Sequence, residues 1–178
     1  MQIKIPLPKT LENCETERLK FRKLETTDIE ELMPFFNSEI AMEFLPVSSI
    51  IPAENAPIWI HRQKNRYKTN GDGLYALIHK ETGKIVGMCG LIIQDVDDKK
   101  ELEIGYHLLP QYWKNGFATE AAGFCKSFVR ENKLAGSVIS LIDLHNINSQ
   151  KVAERNGLER QKQTVFKNIA AYIYRINL

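Results

Sequence analysis

The sequence predicts an α/β (α+β) fold in which a mixed, mostly antiparallel sheet carries helices on both faces. Three observations lead there. Apolar residues alternate with a period of two in some segments and recur at helical spacing in others, so strands and helices interleave along the chain. The apolar runs Leu74 to Ile78 and Ile85 to Ile93 flank the turn Glu81-Thr82-Gly83-Lys84 and read as a hairpin. A helix over Ala118 to Val129 has a continuous apolar stripe that needs a sheet to cover it.

Arg18 to Leu24 sets Leu19 and Phe21 between charged neighbours, the pattern of a half-buried strand. Thr27-Asp28-Ile29-Glu30 reads as a capping box, with the Thr27 hydroxyl and Glu30 carboxylate covering exposed N–H groups. Ile29, Leu32, Met33 and Phe36 follow at helical spacing, and Pro34 should kink or shorten that helix. Pro46, Pro52 and Pro57 mark an irregular stretch, Ile58 to Lys68 tolerates a helix, and Asn70-Gly71-Asp72-Gly73 is a dense turn. After the hairpin, Asp95 to Lys100 is a charged turn. The next strand places Leu102, Ile104, Tyr106 and Leu108 on one face and Glu101, Glu103, Gly105 and His107 on the other. In the helix that follows, Ala118, Ala121, Ala122, Cys125, Phe128 and Val129 form the stripe, which assigns Cys125 to the core. A buried strand from Val138 to Leu144 and a short helix from Ser149 to Asn156, closed by Gly157, come next. Strands at Gln163 to Lys167 and Ala170 to Ile176 complete the chain.

With 178 residues and no Pro/Gly/Ser-rich linker, one domain over residues 1–178 is expected. Lys and Arg number 24 against 22 Asp and Glu, and a formal charge of +2 argues against a nucleic-acid partner. Gly87 and Gly90 interrupt the longest apolar run, far short of the ~20 residues of a spanning helix, so no membrane partner is expected. Met1-Gln2-Ile3-Lys4-Ile5-Pro6 lacks the marks of a signal peptide, and a cytoplasmic location is expected. Cys14, Cys89 and Cys125 are odd in number and widely spaced, and His61, His79, His107 and His145 are scattered. Neither disulfides nor a metal site is expected.

The segment from Glu103 to Glu120 carries the most chemistry. A strand runs into a short loop whose Gly116 opens a helix, which aims free N–H groups and the positive end of the helix dipole at one point suited to a phosphate. Small residues at Gly116 and Ala118 allow close approach to the backbone. A strand–Gly–helix turn also serves as plain connection, and the segment matches neither GxGxxG nor GxxxxGK[ST].

Three stretches together resemble the GNAT superfamily of acetyltransferases, and within it the RimJ/RimL type. They are Thr16-Glu17-Arg18-Leu19 with Phe21-Arg22, Leu24 and Asp28; Glu103-Ile104-Gly105-Tyr106 through Trp113-Lys114-Asn115-Gly116-Phe117-Ala118-Thr119-Glu120-Ala121; and Asn146-Ile147-Asn148-Ser149 through Gly157-Leu158. Trp113 stands where many relatives have Gln or Arg, and Leu158 replaces Phe. The resemblance implies a sheet split into a V-shaped cleft and acetyl transfer from acetyl-CoA to a primary amine by direct attack, without a metal. The implied acceptor is a protein N-terminus or a small molecule, and the protein a monomer or homodimer. It implies that Gly105, Tyr106, His107 and Leu108 line the pantetheine arm, with an N–H near Leu108 for the oxyanion. Trp113, Lys114, Asn115, Gly116, Phe117, Ala118 and Thr119 would surround the pyrophosphate, and Asn146 and Ser149 would complete the site.

The resemblance makes Glu103 the candidate base, acting through water; read alone, it is equally a solvated carboxylate beside Glu101. Many relatives place a proton-donating Tyr seven residues after the Asn, where this chain has Ala153, and the resemblance points instead to Ser149. Ser149 alternatively caps its helix. Trp59, Tyr67 and Phe44 shape an acceptor pocket or pack the core; His107 and His145 touch substrate or are ordinary packed or exposed histidines. Arg62, Lys64, Arg66 and Lys68 are a solvated face or meet an acidic substrate or the CoA 3′-phosphate. Two other classes remain: a CoA-binding module without catalysis, and an unrelated phosphoanion-binding protein.

Overall fold

Residues 2–45 and 56–178 are described in the computed structural model; Pro46 and Pro52 lie outside them. Strands β1 (Leu19–Arg22), β2 (Gly73–His79), β3 (Ile85–Val96) and β4 (Lys99–Leu108) form an antiparallel meander. Strands β5 (Ser137–Asp143), β6 (Glu159–Phe166) and β7 (Ile169–Asn177) extend it, giving the order β1-β2-β3-β4-β5-β7-β6. Among the described residues only β4 and β5 pair parallel, through the single register pair Glu103↔Ile139. Beyond that pair the two strands diverge, and the sheet opens into the expected V.

The pleat of β3 and β4 divides the core in two. Leu102, Ile104 and Leu108 of β4 pack with Ala121, Ala122, Cys125 and Val129 of the helix α4 (Phe117–Glu131). On the other face, Met88 and Ile92 meet Leu32 and Phe35 of α1 (Ile29–Phe36) and Trp59 and Ile60 of α3 (Ala56–Thr69). Each such buried side chain contributes about 1.5–3 kcal/mol through removal from water. Between α1 and α3, α2 (Glu39–Met42) starts at Ser38, whose hydroxyl accepts from Ala41 N–H at 3.2 Å. No helix among the described residues is long and apolar enough to cross a membrane.

Three local expectations are corrected. The Thr27/Glu30 box does not form: Asp28 accepts from Glu25 N–H at 2.8 Å and pairs with Arg22 at 2.8 Å, so a 3-10 turn at Thr26–Asp28 precedes α1. The box forms two residues earlier instead, between Glu25 and Asp28, and Arg22 at the end of β1 holds the Asp28 carboxylate in place. The Asp95 to Lys100 turn shrinks to Asp97-Asp98, with φ of 48° and 62°. Asp95 and Lys100 pair across the ladder at 2.9 Å and continue both strands. The later short helix, α5 (Ile147–Arg155), begins earlier than expected and is capped by Asn146, whose Oδ1 accepts from Ser149 N–H at 3.0 Å. Ser149 is therefore in the first turn rather than at the cap, and its hydroxyl is free for other partners. Pro34 is accommodated inside the eight-residue α1, which ends at Phe36.

Candidate active site

The divergence of β4 from β5 opens a cleft of about 650 Å³, lined from its two walls by residues that include Glu103, Leu108, Gly116, Ser140 and Ser149. Its backbone chemistry follows from strand register. Leu109 N–H donates to Val86 C=O at 3.0 Å, and in an antiparallel ladder bonded and non-bonded positions alternate. The N–H and C=O groups of Tyr106 and Leu108 therefore turn away from β3, toward the side that β5 has left. Ser140 Oγ, donating to Ile104 C=O at 3.0 Å, marks that side where the strands are still close. Trp113 Nε1 takes up Leu108 C=O at 2.8 Å, and the Leu108 N–H remains directed at the opening.

Below Leu108 the chain turns through Lys114 (φ 65°) and Gly116 (φ 81°) into α4. Gly116 offers no capping side chain, so the first-turn amides of α4 are left for a bound anion. A clasp from the N-terminal segment holds this turn. Glu120 accepts from Thr16 Oγ1, from Arg18 N–H at 2.9 Å and from Arg18 Nε at 2.7 Å, while Arg18 also donates to Asn115 C=O at 3.0 Å. Burial would raise the Glu120 pKa, but these bonds outweigh it and hold the carboxyl below its usual range. The guanidinium also lies 4.4 Å from the Phe117 ring centroid.

Glu103 is only 9% exposed, which overturns its reading as a solvated carboxylate. Gln94 Nε2 donates to it at 2.7 Å and Leu141 N–H at 3.4 Å, yet loss of hydration dominates and pushes its pKa up. On the opposite wall Ser149 Oγ donates to the Tyr106 hydroxyl at 2.9 Å, and that hydroxyl donates to Ser149 C=O at 2.9 Å. Burial raises the Tyr106 pKa far above the ordinary phenol range. His107 is half-buried, 5.5 Å from the Phe35 ring, and burial pushes its pKa down to about 4, so the imidazole is neutral near pH 7.

Of the residues singled out in the sequence, Gly105, Tyr106, His107 and Leu108 line the cleft on β4. Trp113, Lys114, Gly116, Phe117, Ala118 and Thr119 line it at the loop, and Asn146 and Ser149 at α5. Asn115 does not; its carbonyl anchors Arg18 and its Nδ2 donates to Trp113 C=O at 3.2 Å. Phe44 and Trp59 face the cleft, whereas Tyr67 is in the core, 5.0 Å from the Tyr75 ring and bonded to Leu74 C=O. Arg62 and Arg66 line the cleft and Lys64 and Lys68 do not, so the basic cluster divides by helix face. Cys125 is buried beside Cys89, with sulfurs 3.7 Å apart. The clasp, the Gln94 contact and the Tyr106–Ser149 pair escaped the sequence, since their partners are separated by up to 104 residues.

Residues 18–159 match the family model described as Acetyltransferase (GNAT) domain. The chain belongs to the GNAT acetyltransferase family. It is 30% identical over 148 residues to Bacillus subtilis (strain 168) YkkB, covering 83% of this chain and 85% of the relative. Among solved structures, an acetyltransferase from Agrobacterium tumefaciens superposes with a TM-score of 0.77 at 22% identity, over 97% and 98% of the two chains. An acetyl transferase from Salmonella typhimurium that modifies the N-terminal serine of ribosomal protein L7/L12 superposes with a TM-score of 0.75 at 13% identity, over 92% and 96%. At such identities the two superpositions speak for the fold.

This GNAT enzyme uses acetyl-CoA as its acyl donor, and the unrelated phosphoanion-binding reading falls away. The residues present fit that donor. Uncapped amides at Gly116 and backbone groups of Tyr106 and Leu108 turned into the split supply what a pyrophosphate and an amide-bearing arm require.

Proposed function

We propose that the enzyme acetylates a primary amine, of which a protein N-terminal α-amino group is one form, by direct attack of the amine on the thioester. The observation that carries this reading is a buried carboxylate with a raised pKa, Glu103, on the same cleft as the Tyr106–Ser149 hydroxyl pair. In support, the Salmonella typhimurium relative acts on an N-terminal serine.

Bound acetyl-CoA supplies an activated acetyl group. Amides of the Lys114 to Thr119 turn hold its pyrophosphate, and the Gly105 to Leu108 edge and Asn146 side of the split hold its pantetheine arm. Leu108 N–H donates to the carbonyl oxygen as negative charge develops there. An α-amino group with a pKa near ~8 has a useful neutral fraction at pH 7, so only a modest base is needed. Glu103 is three residues from Tyr106, or about 10 Å along the strand, and accepts the amine proton through water. Ser149 Oγ turns its hydrogen from the Tyr106 hydroxyl to the departing sulfur and stabilises the thiolate, which takes its proton from water, while Tyr106, kept protonated by burial, holds Ser149 through the bond to its C=O. No nucleophilic side chain is required.

The test measures CoA thiol release with a panel of peptides, amino acids and polyamines, with mass spectrometry of the products. Amine-dependent release with a mass gain of one acetyl group is expected. Acetyl-CoA binding without acetylation of any amine would leave a CoA-binding module instead.

A further inference from the structure

Three cationic side chains gather at one end of the cleft. α3 contributes Arg62 and Arg66, and the turn between β6 and β7 contributes Lys167. Lys167 and Asn168, with φ of 47° and 68°, make a tight hairpin turn. All three cations line the cavity that Glu103 and Gln94 also line.

Arg66 is paired with Asp72, whose side chain is fully buried. Among the described residues, neither Arg62 nor Lys167 has an ion-pair partner. Asp72 balances Arg66, and the charged neighbours of Lys167 are the two arginines and the single carboxylate Glu103, so this group carries an excess of positive charge. Lys167 is partly desolvated, which lowers its pKa, while Glu103 opposes that shift and the two arginines add to it. Arg62 and Lys167 are exposed at the mouth of the cleft, where gathered charges of one sign attract an anion.

The turn proposed to hold the donor's phosphates is on the other side of the sheet. The Lys114 to Gly116 turn leads into α4, which covers the Leu102, Ile104 and Leu108 face of β4. The α3 helix packs against the opposite face, the face to which Glu103 and His107 belong. Along β4, Glu103 and Leu108 are five residues apart, about 16 Å. The cations thus belong to the wall where the amine must enter, beside the apolar side chains of Phe44, Leu45 and Trp59.

We infer that the acceptor is an amine that also carries an anionic group, a carboxylate by preference, which Arg62 and Lys167 hold while the amine faces the thioester. The excess positive charge matches an anion, and the planar arginine fork matches a carboxylate. This rests on the acetyl-transfer reading above and narrows it. An acidic residue near a peptide N-terminus and the carboxylate of a free amino acid both provide this chemistry.

The experiment compares kcat/KM for two pairs of amines that differ in one charge: a peptide beginning Ser-Asp against Ser-Asn, and 4-aminobutyrate against its amide. The charged member of at least one pair should be favoured about tenfold or more. A preference confined to the peptides assigns the anion to a protein substrate, and one confined to the small amines assigns it to an amino acid. In Arg62→Gln/Lys167→Gln the preference should fall to near parity, and in Lys167→Glu alone it should fall or invert. Calorimetric acetyl-CoA binding verifies that each variant is folded. Equal rates within both pairs in the wild type, or a preference that survives both the double replacement and the charge reversal, overturns the inference. Failure to acetylate any amine while acetyl-CoA binds overturns the acetyl-transfer reading itself, whereas equal acetylation of charged and neutral amines overturns only the anionic acceptor.

Discussion

Glu103 shows how burial sets both reactivity and stability. A carboxyl whose pKa is raised in the folded chain keeps a proton that the unfolded chain has already released. Its contribution to stability therefore falls as pH rises from the ordinary carboxylate pKa to the raised value, and is level above it. Glu103→Gln should melt at a higher temperature than wild type at pH 8, and the difference should close near pH 4 in calorimetry. The same variant should lose about 10²-fold in turnover, most at low pH, where the amine is protonated and needs the base. A wild-type pH–rate profile would remove Glu103 from the reaction. Across the cleft, Ser149→Ala and Tyr106→Phe should each slow turnover about tenfold or more over that whole pH range. If the two hydroxyls act as one hydrogen-bonded unit, the double variant is little worse than either single one; additive losses would separate them. Proton chemistry was only partly legible in the sequence. Glu103 and Ser149 stood out through motif position, but the burial of Glu103 under Gln94 and the Tyr106 partner of Ser149 depend on strand register and helix docking, which no local spacing encodes.

At the scale of elements, the turn into α4 combines backbone conformation with a clasp from the distant N-terminal segment. A Cβ at Gly116 would meet only the Arg18 guanidinium, at 3.4 Å, so room is not the constraint. The constraint is φ of 81°, which β-branched residues avoid. Gly116→Val should cost about 1–3 kcal/mol of stability and weaken acetyl-CoA binding tenfold or more, with Gly116→Asn between it and wild type because Asn tolerates this region. Calorimetric binding that is equal for all three would show that the turn does not hold the donor. Glu120→Ala should lower stability by about 1–3 kcal/mol, read from urea midpoints, because it strands the Arg18 and Thr16 donors. The elements were readable where one face is apolar: α4, the β2–β3 hairpin and β4 appear where their periods place them. Their ends were less so. Asp28 was claimed by Arg22, six residues earlier, and Asp95 and Lys100, five residues apart, became a cross-strand pair, because side-chain pairs that composition does not single out decided where each element stops.

For the whole molecule, the split sheet is the organising feature, and the sequence reached it through the GNAT resemblance; periodicity alone gives strands without their order. A ligand bound only by the folded state stabilises it by mass action, about 2.7 kcal/mol at a hundredfold excess over Kd. Acetyl-CoA should raise the melting temperature measurably and ATP much less; the reverse order would contradict the assigned donor site. Acidification acts on the molecule through His107, whose pKa of about 4 lies below that of a free imidazole. The unfolded chain binds that proton first, so stability present above pH ~6.5 is lost as pH falls toward 4. His107→Phe should flatten this part of the stability curve. The parting of β4 from β5 also marks the amides of a single strand in two different ways. Gly105 and His107 point their N–H groups at β3, whereas Tyr106 and Leu108 point theirs into the opening. In deuterated water, neighbouring amides of β4 should therefore exchange in alternation, slow and fast, and acetyl-CoA should slow only the fast set, giving a residue-by-residue imprint of where the donor lies.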